Sequence, residues 1–182
     1  MVAKITSGAS VYGALYYNQE KVDKQQARPL AWNRIMEPAD GHPTIQHCIR
    51  SFEPYLAANR RTEKPVIHIS LNPHPDDVLT DEQLTAIGQE YMEKMGYGNQ
   101  PYIIYRHEDI GRPHIHIVSL RIDEQGKKIK DYKEWQRSTA VCRELERKYK
   151  YCTGMYRRGW MFIRGTSVHS AYEDRTGICD RY

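Results

Sequence analysis

The chain has 182 residues, of which 40% are hydrophobic and 27% are charged, and this composition is typical of one soluble globular domain. The net charge of +4 is compatible with a polyanionic partner but does not establish one. The chain contains no apolar run of about eighteen residues and no signal-peptide core, which excludes a membrane-spanning segment and predicts a cytoplasmic protein.

The N-terminal part of the chain contains two predicted helices and a loop between them. Apolar residues recur at helical spacing from Ser10 to Val22, which predicts a first helix. This helix carries three tyrosines, Tyr12, Tyr16 and Tyr17. Prolines and a glycine among polar residues predict a loop or mobile flap over 24–44. A further short helix is predicted over 45–59.

The central part of the chain contains a predicted strand followed by a helix. Residues 66–71 alternate between apolar and polar side chains, which predicts a half-buried strand whose polar face carries His68 and Ser70. A capping-box pattern at Thr80 begins an apolar stripe that stops at Gly96. A helix is therefore predicted between these two residues.

Two further strands and a helix follow. The strands, 102–106 and 114–122, flank the turn HEDIGRP and are predicted to pair as an antiparallel hairpin. Apolar spacing over 132–149 predicts a last long helix with a basic outer face. These elements indicate an α+β domain over residues 1–150. Residues 151–182 have no sustained periodicity and are expected to form a C-terminal extension. This extension could be a short hairpin, a poorly ordered tail or the remainder of a truncated protein.

The most informative segment is the run from His107 to His116. Residues two apart in a strand share a face, so His114 and His116 would project together. The hairpin would return His107 beside them and complete a cluster of three histidines. A bare HxH pair is more often a chance pairing, but the third histidine favours a metal site.

Three neutral imidazoles with open positions suit Mn²⁺, Zn²⁺, Co²⁺ or Ni²⁺, whereas Mg²⁺ accepts nitrogen ligands less readily. Mg²⁺ or Mn²⁺ is the expected functional ion, with Zn²⁺, Ni²⁺ or Co²⁺ as alternatives. Asp109 could orient one imidazole. His68 would line the same cleft without binding the ion, and Ser70 could contact a DNA phosphate or sugar there.

A metal held by histidines and bound to a phosphate needs a nucleophile. Tyrosine suits a reaction with a covalent and reversible phosphodiester intermediate. Tyr12, Tyr16 and Tyr17 are the candidates, and helical periodicity does not choose among them.

Three motifs occur in the order GALYYNQEKV, VIHISLNPHPDD and HEDIGRPHIHIV. Through them, residues 4–150 resemble the mobilisation relaxases of the HUH endonuclease superfamily, particularly those of Bacteroides-type mobilisable elements. The resemblance implies an antiparallel sheet of about five strands, with helices on one face and the active site on the other. It also implies strand-specific nicking of single-stranded DNA at a transfer origin, with an accessory mobilisation protein and a coupling protein as partners.

The resemblance also implies roles for particular residues. In that family the first motif supplies the nucleophilic tyrosine, the second a serine that contacts DNA, and the third the metal-binding histidines. Carried over, these roles fall on Tyr17, with Tyr16 as the alternative, on Ser70, and on His107, His114 and His116. Leu120 stands where many relaxases have an asparagine.

Three other functions are weighed against this one. A replication initiator or transposase of the HUH type would place its tyrosine after the histidines, at Tyr132 or Tyr149. A relaxase-like protein that binds DNA without cutting would keep the fold, and Leu120 keeps this alternative open. A two-histidine phosphoesterase needs two His-x-Ser/Thr motifs, of which this chain has one at His68 and lacks the second.

Overall fold

The computed structural model describes residues 1–38, 41 and 43–151, and in this part of the chain helices and strands alternate through most of the sequence. They follow in the order β1 (Val2–Gly8), α1 (Val11–Asp23), β2 (Ala27–Asn33), α2 (Ile45–Ala58), β3 (Val66–Asn72), α3 (Asp81–Met95), β4 (Tyr102–His107), β5 (His114–Leu120) and α4 (Glu134–Tyr149). The expected C-terminal extension lies outside the described residues from 152 onward.

The five strands form one sheet in the order β1-β3-β5-β4-β2, and every neighbouring pair is antiparallel. β5 is the central strand. Within the sheet, Ser70 lies opposite His116, which in turn lies opposite Tyr105 on the next strand. The predicted α+β class, the antiparallel sheet and the β4–β5 hairpin are confirmed.

Helices pack on both faces of this sheet, because the central strands carry apolar residues on both sides. One face carries residues such as Ile69, Ile104 and Ile117, and α3 and α4 cover it. The other face carries an apolar group that packs against α1 and α2. The expectation that all helices pack on one face is therefore wrong, since α1 and α2 pack on the other face. The apolar stripes of α1 and α2 also need burial, and they find it on the second face.

The helix boundaries follow the local signals in the sequence. The Thr80 side chain accepts a hydrogen bond from the Gln83 backbone N–H in a capping box at the start of α3. Gly96 ends the same helix in the left-handed conformation, with φ of 86°. Among the helices of the described residues, none is long and apolar enough to cross a lipid bilayer.

The edge strands are the part of the fold that differs most from the sequence interpretation. The prediction of a loop or flap over 24–44 is wrong for β2, which pairs with β4. Pro29 suggested a loop, but an edge strand pairs on one side only and tolerates proline, here at an irregularity in register between Pro29 and Ala31. β1 was not predicted, because it is an edge strand with the polar residues Lys4, Thr6 and Ser7 among its few apolar ones.

Candidate metal centre

Three histidines lie together at the end of the sheet where the β4–β5 hairpin turns. His107 pairs with His114, and His116 follows two positions later on the same face. The ring centroids are 4.1 Å apart for His107 and His116, 5.0 Å for His114 and His116, and 5.5 Å for His107 and His114. One nitrogen from each ring lies within 4.8 Å of the others. The structure therefore brings together the trio that the spacing predicts.

Two of these imidazoles have one nitrogen held by a protein oxygen, which leaves the other nitrogen with a lone pair. His107 Nε2 lies 2.9 Å from the amide oxygen of Asn18, so Nε2 carries the proton. His107 Nδ1 is buried and has no hydrogen-bond partner among the described residues. His114 Nδ1 lies 3.3 Å from the Arg112 carbonyl, which likewise frees Nε2. A buried lone pair without a partner fits a divalent cation that accepts nitrogen ligands.

The third imidazole of the trio is held by a fourth histidine. His68 of β3 places its Nε2 atom 2.8 Å from His116 Nδ1. When His116 offers its Nε2 lone pair to a cation, its Nδ1 carries the proton and donates a hydrogen bond to His68 Nε2. His68 lines the cleft as the sequence predicts, and its contact orients His116.

The electrostatic surroundings keep these histidines neutral at neutral pH. Burial lowers the pKa of His107 to about 4 and the pKa of His68 to about 4. Burial, followed by repulsion from the neighbouring imidazoles, lowers the pKa of His116 to about 2. Burial also lowers the pKa of His114. Neutral imidazole is the form that binds metal ions, so protons compete weakly for these nitrogens.

Asp109 supplies a negative charge at the edge of the cluster. Its Oδ1 atom lies 3.6 Å from His114 Nε2 and has no hydrogen-bond partner among the described residues. Its Oδ2 atom lies 3.0 Å from Lys21 Nζ of α1. Burial acts to raise the pKa of the Asp109 carboxyl, but the Lys21 contact and the nearby histidines hold that pKa below its usual value. The carboxylate is therefore ionised, and it faces the free nitrogen of His114.

Tyr17 is the tyrosine of α1 that lies beside the cluster. Its ring centroid is 6.0 Å from that of His68, 6.2 Å from His116 and 6.3 Å from His107. Tyr12 and Tyr16 are exposed and stack on each other, with centroids 5.7 Å apart. The side chain of Tyr17 is 42% exposed, so a molecule from solvent can reach it. Helical periodicity left this choice open, because all three tyrosines lie off the buried stripe.

Asn18 is a residue of the site that the sequence interpretation missed. It is fully buried and follows Tyr17 directly. Its amide oxygen contacts His107, and its Nδ2 atom donates a hydrogen bond to the Ala14 carbonyl at 2.7 Å. A signal was present, because Asn18 occupies a position on the same helical stripe as Leu15 and Val11. A polar residue on a buried stripe requires a polar partner, and here the partner is His107.

A cavity of about 230 Å³ opens beside the histidines. It is lined by Lys4, Thr6, Tyr17, His68, Ser70 and His116. Ser70 lies on this cavity as the polar face of β3 predicts, and its Oγ atom accepts a hydrogen bond of 2.9 Å from Asn72 Nδ2. Lys4 and Thr6 were not predicted. Their alternation with Ala3 and Ile5 is the strand signal that could have identified them.

Two residues that supported other functions lie away from this cluster. Tyr149 belongs to α4, which packs on the opposite face, and its hydroxyl donates a hydrogen bond to Glu90 of α3. Leu120 is fully buried among the residues that pack against α1 and α2. A leucine at this position therefore fills the core.

Comparison with known proteins identifies the family. The family model for relaxases, described as the MobA/VirD2-like nuclease domain, matches residues 17–151. No curated protein matches the chain. The matched segment begins at Tyr17 and includes the whole β4–β5 hairpin with its three histidines.

Proposed function

Because the chain belongs to the family of MobA/VirD2-like relaxase nuclease domains, we propose that it nicks one DNA strand at a transfer origin through Tyr17 and a histidine-bound divalent cation. The nick would initiate mobilisation of a plasmid or transposon. One observation carries this proposal. The ring centroid of the exposed Tyr17 lies 6.3 Å from that of His107 and 6.2 Å from that of His116, which are two of the three imidazoles whose nitrogens converge. Tyr12 and Tyr16, the other tyrosines of α1, are exposed and stack on each other.

His107, His114 and His116 would hold the cation. When bound, a divalent cation would polarise the scissile phosphate and stabilise the charge that develops on its oxygens. Mg²⁺ or Mn²⁺ is proposed as the functional ion. Three nitrogen ligands fit Mn²⁺ better than Mg²⁺, while the Asp109 carboxylate beside His114 adds an oxygen that both ions accept.

The reaction is a transesterification. The Tyr17 hydroxyl oxygen attacks the phosphorus, the bond from phosphorus to the 3′ oxygen breaks, and the 5′ end of the cut strand stays on Tyr17 as a phosphotyrosine ester. The phenol loses one proton and the departing 3′ oxygen gains one, so the step is balanced. No water is consumed, which means that attack by a 3′ hydroxyl on the phosphotyrosine reseals the strand.

The neighbours of Tyr17 on α1 would hold the nucleophile and the metal ligands in register. Asn18 keeps His107 in the tautomer that presents Nδ1, and Lys21 ties the same helix to Asp109. His68 would orient His116, and the Ser70 hydroxyl would donate a hydrogen bond to the DNA strand. Displacement of α1 would thus move the nucleophile and loosen two groups of the metal site together.

Single-stranded DNA is the proposed substrate. A cavity of about 230 Å³ is too small for a duplex, so a strand must leave its duplex to place one phosphate between Tyr17 and the histidines. We therefore also propose an accessory mobilisation protein that opens the duplex and a coupling protein that receives the cut strand.

The test is a nicking assay on a labelled single-stranded oligonucleotide that carries the element's own transfer origin. The wild-type protein with Mn²⁺ should cut it and form a covalent adduct, and a chelator should stop both. Tyr17→Phe should form no adduct but retain Mn²⁺ binding and most of the affinity for the strand. Tyr16→Phe is the matched control and should cut as the wild type does.

Two results of this assay would contradict the proposal. An adduct formed by Tyr17→Phe would mean that another tyrosine is the nucleophile. DNA binding without cleavage by the wild-type protein, in every divalent ion tried, would favour the alternative of a relaxase-like protein that binds DNA without cutting it.

A further inference from the structure

The first strand of the sheet forms one wall of the cavity beside the histidines. Lys4 lies opposite Ser70, and Thr6 lies opposite His68. Directly opposed residues of an antiparallel pair project to the same face, so Lys4 and Thr6 point to the side of the sheet that carries the histidines. Both residues line the cavity together with Tyr17.

The groups on this wall are hydrogen-bond donors with no carboxylate among them. The cavity lining contains one ammonium group, three hydroxyl groups and two neutral imidazoles. No ion pair joins Lys4 to an acidic residue within the described part of the chain. Because Ser70 Oγ accepts from Asn72, its own O–H is available to donate into the cavity. Such a wall selects an anion.

The position of Lys4 decides which anion it contacts. β1 and the histidine-bearing β5 are separated by β3, so their backbones lie about 10 Å apart. Lys4, Ser70 and His116 stand in one row across three neighbouring strands, so Lys4 lies one strand beyond Ser70 from the trio of histidines. A strand that places one phosphate at Tyr17 and continues across the sheet would bring a neighbouring phosphate to β1.

We propose that Lys4, with the Ser70 hydroxyl, forms a second phosphate subsite that holds the phosphodiester next to the scissile one. Thr6 supports this wall, since its hydroxyl donates a hydrogen bond of 3.2 Å to the His68 carbonyl and so ties β1 to β3 beside the cavity. The ligand is the DNA strand of the proposed function, and the subsite rests on that function for its role in cleavage. The contact would contribute affinity and alignment of the strand.

The experiment measures binding of a fluorescent oligodeoxythymidine over a series of salt concentrations. The variant is Lys4→Met, which keeps the length of the side chain and removes its charge. Arg147→Met is the control, because Arg147 is exposed on α4, which packs on the opposite face of the sheet. Lys4→Arg restores the charge and serves as the rescue. Thermal melting verifies that each variant is folded.

Lys4→Met should bind the oligonucleotide about 5–10-fold more weakly at moderate salt, and its salt dependence should decrease by roughly one phosphate contact. Lys4→Arg should recover most of the affinity, and Arg147→Met should stay within about 2-fold of the wild type. In the nicking assay, Lys4→Met should raise KM while the cleavage rate at saturating DNA changes little.

The subsite and the nicking function fail in different ways. Equal affinity and equal salt dependence for Lys4→Met and the wild type would overturn the subsite, even where the wild type cuts DNA. An equal loss for Lys4→Met and Arg147→Met would also overturn it, since the effect would then be one of overall charge. Suppose that Lys4→Met selectively weakens binding but the wild-type protein does not cut DNA. This result would support the subsite and contradict only the proposed nicking function.

Discussion

The two faces of the sheet use the same strands for different purposes. The face covered by α3 and α4 is mostly apolar, with Ile69, Ile104 and Ile117 fully buried. The opposite face is divided. Near one end, residues such as Val66 and Leu120 pack against α1 and α2, and near the other end the strands carry the histidines.

This difference shows how a small domain can leave histidine nitrogens free to bind a ligand without losing stability. Each strand is anchored by its apolar residues on the face that excludes water, so the polar residues between them need not contribute to packing. Ile115 and Ile117 flank His116 in sequence and are fully buried on the other side. Substitutions at neighbouring positions of β5 should therefore have effects of different kinds.

The largest expected effect is on activity, at the histidine face. His116→Ala removes one nitrogen of the trio and should lower the nicking rate on the order of 1,000-fold, since a bound cation contributes several kcal/mol to transition-state stabilisation. The free energy of unfolding of the metal-free protein should change by less than about 1 kcal/mol, because the ring is only half-buried. Single-turnover nicking and urea unfolding measure the two quantities. A nicking rate within about 10-fold of the wild type would remove His116 from the metal site.

The next effect is on stability, at the apolar face. Ile117→Ala leaves a cavity beneath α3 and α4 and should lower the free energy of unfolding by about 2–5 kcal/mol. At a temperature where the variant remains folded, its nicking rate should lie within a few-fold of the wild-type rate. Urea unfolding and the nicking assay again provide the measurements. A stable Ile117→Ala protein that does not cut DNA would show that the two faces are not separable.

A smaller effect is expected at the helix that joins the two halves of the site. Asn18→Leu preserves the size of the side chain but removes the acceptor for His107 Nε2–H, and the affinity for Mn²⁺ should fall by about 10–100-fold. Asn18→Asp retains the acceptor and should bind Mn²⁺ within a few-fold of the wild type. Calorimetric titration of the metal-free proteins measures both affinities, and thermal melting provides the folding control. Equal losses in the two variants would show that the acceptor oxygen of Asn18 does not orient His107 for metal binding.

The smallest effect is a dependence of stability on pH. His68, His107 and His116 have folded-state pKa values of about 4 or below, against about 6.5 in the unfolded chain. Below pH 6.5 the unfolded chain therefore binds more protons, so the free energy of unfolding falls as the pH falls towards 4 and is unaffected by these groups above pH 7.

From pH 7 to pH 6 the metal-free protein should lose about 0.7 kcal/mol of stability for each of these three histidines, or about 2 kcal/mol in all, as measured by urea unfolding at each pH. His116→Ala should lose less over the same interval, because one of the groups is absent. Ile117→Ala removes no titratable side chain, so this variant should retain the full pH dependence. A wild-type profile that is flat between pH 7 and pH 5 would contradict the assignment of buried, neutral imidazoles.

The sequence predicts the helices and central strands of this fold because their signals are local. The capping box at Thr80 and the left-handed Gly96 lie within a few residues of the ends that they define. The edge strand β1 was not predicted, and β2 lies in a segment that was predicted to be a loop. An edge strand is half-solvated and can contain proline, so its composition resembles that of a loop, and only pairing with β3 or β4 identifies it.

The candidate site divides in the same way. His107, His114 and His116 lie on one hairpin, so a period of two and a single turn suffice to predict that they meet. The preference for Tyr17 over Tyr16 came from the family resemblance, because the orientation of α1 on the sheet is not encoded in its own periodicity. Asn18 and Lys4 gave weaker signals in the sequence. A role for them can be inferred only from their partners in the tertiary structure, which are His107 and Ser70.

By itself, the sequence determined the α+β class, the hairpin and the three imidazoles, because each depends on side chains separated by a few residues along one strand or helix. Tertiary structure decided the rest. It placed α1 so that the ring centroid of Tyr17 lies about 6 Å from that of His68, and it brought Asn18 into contact with His107. It also paired Lys4 of β1 with Ser70 of β3. These contacts join residues far apart in the sequence, such as Asn18 and His107, which are 89 positions apart. They depend on how the apolar stripe of a helix and the edge of a sheet find burial, and no local period in the sequence records that outcome.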